Sequence, residues 1–329
     1  MTLDWGALAG GLADVEAELR AAAPDPLAAE EAGPYVARLL VSALHDGFLA
    51  YEDMGSGLKR AWPRLGGPFL DYRMWLASLE PGRGYRLTGS LNDVERLGVG
   101  TYSVTPEGVL LLEDYTVFRT GDFSLDIGPD GQLKTTGNTR LLMVRELLRP
   151  PGRRPADMHL TFADGTALPL PAGNRNLAMA GGWVAAMARQ FARWSARMAE
   201  TPNAFTTPPP ELAAAYLGDL GTHYYPGYYD LGEDEVLVIE RPAVACATWS
   251  VSAYTHWLEP LPPPYAALGR IDDRGAGTGP DRAVTIRLAP DAAGLAGPAI
   301  ATGRRRGALL YRTIDAQDLA IPQTRIERR

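Results

Sequence analysis

A mainly β fold with helical additions is what this sequence predicts: an α+β chain built as a β-sandwich or jelly roll, with N-terminal helices and a helical insert. Three observations carry that expectation. The 36 glycines and 27 prolines are spread along 329 residues without a low-complexity block, the texture of many turns between short strands. Runs of strand character separated by turn residues fill the stretch from Gly84 to Ala163 and recur in the last third. Apolar residues at helical spacing gather mainly near the N-terminus and after Leu177.

In chain order, residues 3–60 read as helical, with Val36, Leu39, Leu40 and Ala43, then Phe48 and Tyr51, at the required spacing and Pro34 suited to a first helical turn. The segment 62–68, rich in Pro and Gly, breaks regular structure. Strands are expected at 84–90, 94–104, 108–118, 122–127, 140–148 and 158–163, with turns at Glu107-Gly108, Pro129-Asp130-Gly131 and Asp164-Gly165. The helical period returns over 177–200, where Trp183, Met187, Phe191, Trp194 and Met198 form a core-packing stripe. Pro202 and Pro208-Pro209-Pro210 end it, and a short helix over 211–217 follows. Further strands are expected at 235–240, 243–254, 283–288 and 308–313. The chain thus divides into an N-terminal helical region (1–70), a first β section (71–175), a helical insert (176–220) and a second β section (221–329) completing a sandwich. Whether one split sandwich or two related ones result is left open. Trp62, Trp75, Trp183, Trp194 and Trp257 are read as core residues.

A net charge of −7 argues against a nucleic-acid partner, since phosphate backbones select basic faces. The run Arg304-Arg305-Arg306 reads as a solvated turn. Asp4, Asp14, Glu16 and Glu18 make the N-terminus an acidic amphipathic helix rather than a secretory leader, and no later stretch offers eighteen uninterrupted apolar residues, so no membrane span is expected. A single cysteine, Cys246, leaves no internal disulfide. A cytoplasmic location is the expectation.

The segment Thr222-His223-Tyr224-Tyr225-Pro226-Gly227-Tyr228-Tyr229-Asp230 reads as a Tyr-rich loop at the mouth of a strand. In the strand that follows, Ala245, Ala247, Trp249, Val251 and Ala253 form an apolar face, while Cys246, Thr248, Ser250, Ser252, Tyr254 and His256 line the other. That polar row is either a sheet face open to solvent or the wall of a pocket. If the loop folds over it, His223 or His256 serves as general base, Asp230 orients the histidine, with Glu240 and Glu259 also near enough in sequence to tune it, and Tyr254 or another tyrosine donates a proton or stabilises an oxyanion. Tyr224, Tyr225, Tyr228, Tyr229, Thr248, Ser250 and Ser252 then hold the substrate. The histidines at 45, 159, 223 and 256 show no metal-ligand spacing, so no metal is expected, and the carboxylates of Asp272-Asp273 and of 233–235 read as solvated turns rather than calcium loops. Gly98-Val99-Gly100-Thr101 lacks the remainder of a dinucleotide fingerprint, and no phosphate loop or nucleophile elbow occurs, so no cofactor is expected.

Several stretches in their shared order resemble the family catalogued as domain of unknown function 1214. They are 85–89 with 97–101, then 123–131, 154–160, the Tyr-rich segment into 234–240, the Trp249-Ser250 strand, and 309–312 with 321–324. The resemblance covers residues 72–326. It implies a bacterial jelly-roll or β-sandwich protein with a helical insert packed beside it. Members often carry the companion domain numbered 1254 ahead of this one, which the helical N-terminus does not resemble, and the segment 292–303 departs from the family's usual pattern there. The resemblance carries architecture and no catalytic residue.

The function expected from these readings is a cofactor-independent enzyme, a lyase using acid–base chemistry on an aromatic or otherwise apolar small molecule. The alternatives are a carbohydrate- or small-molecule-binding jelly roll without catalysis, and a structural assembly protein whose aromatic segment is a homo-oligomer contact.

Overall fold

The computed structural model describes residues 4–45, 56–61, 66–68, 71–104, 110–149, 153–169, 177–208 and 219–329. Two helices open the chain, α1 (Trp5–Ala22) and α2 (Pro26–Leu44). Asp4 caps α1 by accepting from Ala7 N at 2.9 Å, and Asp25 caps α2 by accepting from Ala28 N at 2.8 Å. Pro26 occupies the first turn of α2, whereas Pro34 lies inside that helix, contrary to the sequence expectation.

Nine strands follow: β1 (Lys59–Arg60), β2 (Tyr72–Ser78), β3 (Tyr85–Ser90), β4 (Arg96–Val104), β5 (Leu110–Phe118), β6 (Asp122–Gly128), β7 (Leu133–Lys134), β8 (Thr139–Leu147) and β9 (Asp157–Phe162). All six expected strands are present; β1, β2 and β7 were not expected, and Lys59 and Arg60 are strand rather than helix. The helix α3 (Leu177–Ala199) is the expected insert. Beyond it come β10 (Ala204–Phe205), β11 (Thr222–Asp230), β12 (Glu235–Arg241), β13 (Thr248–Ala253), β14 (Arg270–Asp272), β15 (Val284–Ala289), β16 (Ala299–Ala301), β17 (Arg306–Ile314) and β18 (Gln323–Arg328). The expected helix over 211–217, the turn Glu107-Gly108, Trp62, and Phe48 and Tyr51 lie outside the described residues.

The strands form four sheets, in the orders β1-β2-β8-β4-β5, β7-β6-β3-β9, β10-β11-β17-β13-β14 and β16-β15-β12-β18. The second β section therefore builds its own pair of sheets and does not complete the first. Each half is a sandwich with its own apolar core. Leu97, Val99, Leu142 and Val144 meet Leu87, Leu125, Ile127 and Leu160 in the first. Trp249, Val251, Leu309 and Tyr311 meet Leu237, Ile239, Ile286 and Leu288 in the second.

The helices α1, α2 and α3 pack on one another and on the second sandwich, where α2 and α3 cover Tyr228, Tyr254, Trp257, Leu258, Ala308 and Leu310. Phe191 and Met198 are buried, with Trp183, Met187 and Trp194 flanking them, so the α3 stripe is a core stripe as expected. Trp257 stacks on Tyr35 at 5.7 Å and donates from Nε1 to Ala28 O at 2.9 Å, fastening α2 to the sheet. Arg304, expected in a solvated turn, is instead buried and paired with Glu31 through both Nη atoms, at 2.8 and 2.7 Å.

Leu87 is fully buried in the core of the first sandwich. Leu87→Ala is expected to lower the unfolding free energy by about 2–5 kcal/mol with an unchanged urea slope, measured by equilibrium urea denaturation.

Candidate functional site

The Tyr-rich segment is a strand inside a sheet, not a loop. Every residue of β11, from Thr222 opposite Ile314 to Asp230 opposite Arg306, is in register with β17. Alternation then sends its side chains to different places. Tyr225 and Tyr229 enter the core of the second sandwich, and Tyr228 enters the helix-covered core. Thr222 and Tyr224 share the Tyr228 face further along the strand, beyond the helices, where that face meets the first sandwich.

The residues chosen from sequence are therefore dispersed. Asp230 accepts from Arg306 Nε at 2.7 Å and orients no histidine. Glu240 lies on β12, paired with Arg325 on the neighbouring strand, and Glu259 is clasped by Arg38. Tyr228 Oη and His256 Nδ1 are hydrogen-bonded at 2.9 Å, which joins one expected pair, but His256 is buried under the helices and its carbonyl accepts from Ser195. Burial lowers the His256 pKa to about 4. His223 is half-buried, and burial lowers its pKa while Asp219 and Asp315 pull the other way. The polar row of β13 is not a solvent-facing surface: Thr248, Ser250 and Ser252 are all buried. Thr248 bonds Asp273 Oδ1 at 2.5 Å and accepts from Arg149 at 2.7 Å, so Asp273 is committed to the fold rather than to a cation. Ser250 Oγ is sealed and has no hydrogen-bond partner among the described residues.

What the polar row faces is the first sandwich. The outer face of β4 carries Arg96, Gly98, Gly100 and Tyr102, and that of β8 carries Met143, Arg145 and Leu147, opposite to the faces that supply Leu97, Val99, Leu142 and Val144 to the core. Between this face and the β11-β17-β13 face lies a layer of arginines and tyrosines in place of an apolar core. Arg96 is clamped on Asp219 through Nη1 and Nη2, at 2.6 and 2.8 Å, with both side chains buried. Asp219 also accepts from Tyr72 Oη at 3.1 Å and Gly221 N at 3.0 Å. Burial raises the Asp219 carboxyl, but the Arg96 hydrogen bonds together with the charges of Arg96 and Arg145 outweigh it and hold the pKa below its usual range.

Beside this pair, the Arg312 guanidinium carbon lies 5.5 Å from the Tyr224 ring and 5.8 Å from that of Tyr254, whose hydroxyl accepts from Arg312 Nη1 at 2.9 Å. Arg145 donates from Nη1 to Tyr102 Oη at 2.7 Å. The glycines of β4 make room for the tyrosines: a Cβ on Gly98 would sit 1.8 Å from Tyr115 Oη, and one on Gly100 would sit 2.9 Å from the Tyr102 ring. Register shifts on either side of Tyr102 mark an irregularity of β4 there. Burial pushes the Tyr102 hydroxyl up to about 12, against the pull of Arg145, and raises Tyr115 and Tyr224 as well. These phenols are protonated at neutral pH and act as hydrogen-bonding groups, not as bases.

Arg96, Arg145, Arg312, Tyr72, Tyr102, Tyr115 and Asp219 were all missed in the sequence. A signal existed for two of the arginines, because Arg145 follows the apolar run Leu141-Leu142-Met143-Val144 and Arg312 the run Ala308-Leu309-Leu310-Tyr311, at positions destined for burial. Among the described residues no three His, Cys, Asp or Glu side chains gather to hold a metal ion, and no helix is long and apolar enough to cross a membrane.

No family model and no curated protein matches the chain. Among solved structures, an uncharacterised protein of Burkholderia cenocepacia is similar over 98% of this chain and 96% of its own, with a TM-score of 0.82 at 23% identity. A Vibrio parahaemolyticus protein aligns with 89% of this chain and all of its own, at a TM-score of 0.48 and 11% identity. The first of these shows that the two-sandwich fold with its helices is shared along the whole length.

Two outcomes follow for the buried groups. Asp219→Ala leaves the buried Arg96 with only its 3.3 Å contact to Asp315 for a counter-charge among the described residues and is expected to cost about 3–5 kcal/mol in urea denaturation, with Arg96→Met on that background recovering much of the loss. For His256, the unfolded chain takes up its proton near pH 6.5 and the folded protein only near pH 4, so this contribution is complete above 6.5 and is lost as pH falls through that window, by up to about 3 kcal/mol. His256→Gln should therefore flatten the decline in unfolding free energy between pH 7 and pH 4.5.

Proposed function

We propose that this chain binds a small, flat, ring-bearing molecule in the arginine–tyrosine layer between its two sandwiches. The observation that carries the reading is the layer itself. Two sheet faces meet through guanidinium groups and phenol rings, with Ser250 Oγ left without a partner, whereas both flanking interfaces are filled with apolar side chains. Tyr115 and Tyr224 are half-buried, so the layer is open at their position, and aromatic faces and guanidinium planes both stack on rings.

A second reading, the lyase expected from sequence, is favoured by His223. It precedes Tyr224 on β11 with its side chain on the opposite face of the strand, and burial lowers its pKa, so the imidazole is a neutral base at pH 7. Kinship with domain of unknown function 1214 belongs to the same proposal and rests on the motif order in the sequence.

The test is a thermal-shift and calorimetric screen of the full chain against aryl monomers, aryl dimers and oligosaccharides. Aryl compounds at about 100 times their Kd should stabilise the fold by about 2.7 kcal/mol, and Tyr224→Ala should remove the effect. Stabilisation by oligosaccharides alone, or an aryl effect untouched by Tyr224→Ala, would overturn the proposal. Loss of turnover in His223→Ala with binding retained, followed by mass spectrometry, would establish the lyase reading.

A further inference from the structure

Arg145 is the exceptional member of the layer. Arg96 is neutralised by Asp219, Arg149 by Glu95 and Asp273, and Arg270 by Asp71 and Asp272. Arg145 is only 6% exposed, yet among the described residues no carboxylate lies within ion-pair distance of it. Among the described residues its one hydrogen bond runs from Nη1 to Tyr102 Oη, and Nε and Nη2 have no acceptor. A buried guanidinium with an unmade hydrogen-bonding edge is costly to the fold unless something charged meets that edge.

The open edge has a defined chemistry. The Nε and Nη2 hydrogens of a guanidinium point the same way and match the two oxygens of a carboxylate. This protein uses that edge elsewhere: Arg38 holds Glu259 through Nε and Nη2 at 2.6 and 2.5 Å, and Arg189 holds Glu18 through the same atoms at 2.7 Å each. Tyr102 occupies Nη1 and so fixes the plane of the ring of nitrogens, leaving the bidentate edge presented. On the same sheet face, Met74 stands directly across from Arg145 on one side and Gly98 on the other, while Met143 precedes it by two residues. Apolar sulfur-bearing side chains and tyrosine rings there suit the body of a ring rather than a second charge.

We infer that the ligand of this layer is an aromatic carboxylate, with its two oxygens seated on the Nε/Nη2 edge of Arg145 and its ring against Met143 and the neighbouring tyrosines. The inference rests on the ring-binding reading above and adds the charge and the anchor. The anchoring is non-covalent, and Arg145 is a binding residue.

The experiment measures dissociation constants by calorimetry for paired probes, benzoate with benzamide and naphthoate with naphthamide, on the full chain as wild type, Arg145→Lys and Arg145→Met. Wild type should prefer each acid to its amide by on the order of 10- to 100-fold. Arg145→Met should abolish the preference, and Arg145→Lys should keep part of it. Without ligand, Arg145→Met should melt at or above the wild-type temperature, because it removes a buried charge that no described carboxylate contacts directly. A lower melting temperature for Arg145→Met together with an undiminished preference for the acids in that same variant would assign Arg145 to the fold and overturn the inference. Amides binding as well as acids would overturn the carboxylate while leaving the ring-binding reading intact. Failure of all four probes, when other aryl compounds in the broader screen bind, would likewise overturn it; failure of every aryl compound would overturn both.

Discussion

The Arg96–Asp219 pair is the constraint on which the arrangement of the two sandwiches depends. Arg96 comes from β4 of the first half and Asp219 from the approach to β11 in the second, and both are buried. Neither charge is tolerable alone in that setting, so each half is incompletely solvated until it meets the other. Tyr72 and Gly221 complete the carboxylate's hydrogen bonds, and Arg119 and Asp315 extend the network to the rim at 2.8 Å. Such a pair adds little net stability over an apolar contact of the same size. Its effect is to specify one orientation of the halves, because a rotated or shifted interface would strand a charge.

Around that clamp, the layer obeys different packing rules from the cores on either side. In the cores, alternation supplies mainly apolar residues from both sheets, with Trp249 and three tyrosines in the second. In the layer, the opposite faces of the same strands carry glycine where a side chain would collide with Tyr102 or Tyr115, and arginine where an aliphatic residue would otherwise fill the space. Rings and guanidinium groups cannot pack as densely as branched aliphatics and demand hydrogen-bond partners besides. The Arg145 edge and Ser250 Oγ are among the places where that demand is unmet by the described residues.

The helices take a separate role. They cover the end of the β11-β17-β13 face that the first sandwich does not reach, and they are fixed by Arg304–Glu31, Arg38–Glu259 and the Trp257–Ala28 hydrogen bond. His256 and Tyr228 are consumed in this contact. Their burial explains why the histidine is held neutral, and it removes them from the layer that faces ligand.

Element type was legible in the sequence wherever one face of an element is wet. The strands at Tyr85–Ser90 and Asp122–Gly128 alternate buried with exposed residues, and α3 carries its apolar stripe at helical spacing, so local periodicity alone identifies them. Thr222–Asp230 was misread as a loop because both of its faces are covered, one by a sandwich core and the other by helices and the polar layer, which erases the alternation that marks a strand. The site was less legible still. A lone arginine in a strand announces that it needs a partner but not which one, and Arg96 and Asp219 are separated by more than a hundred residues. Composition and periodicity, being local, determined a mainly β chain with helical additions and the tyrosine richness of the segment 222–230. Which charges meet, which tyrosines are core, and which guanidinium edge is left open depend on the docking of two sandwiches, and only the tertiary structure decided them.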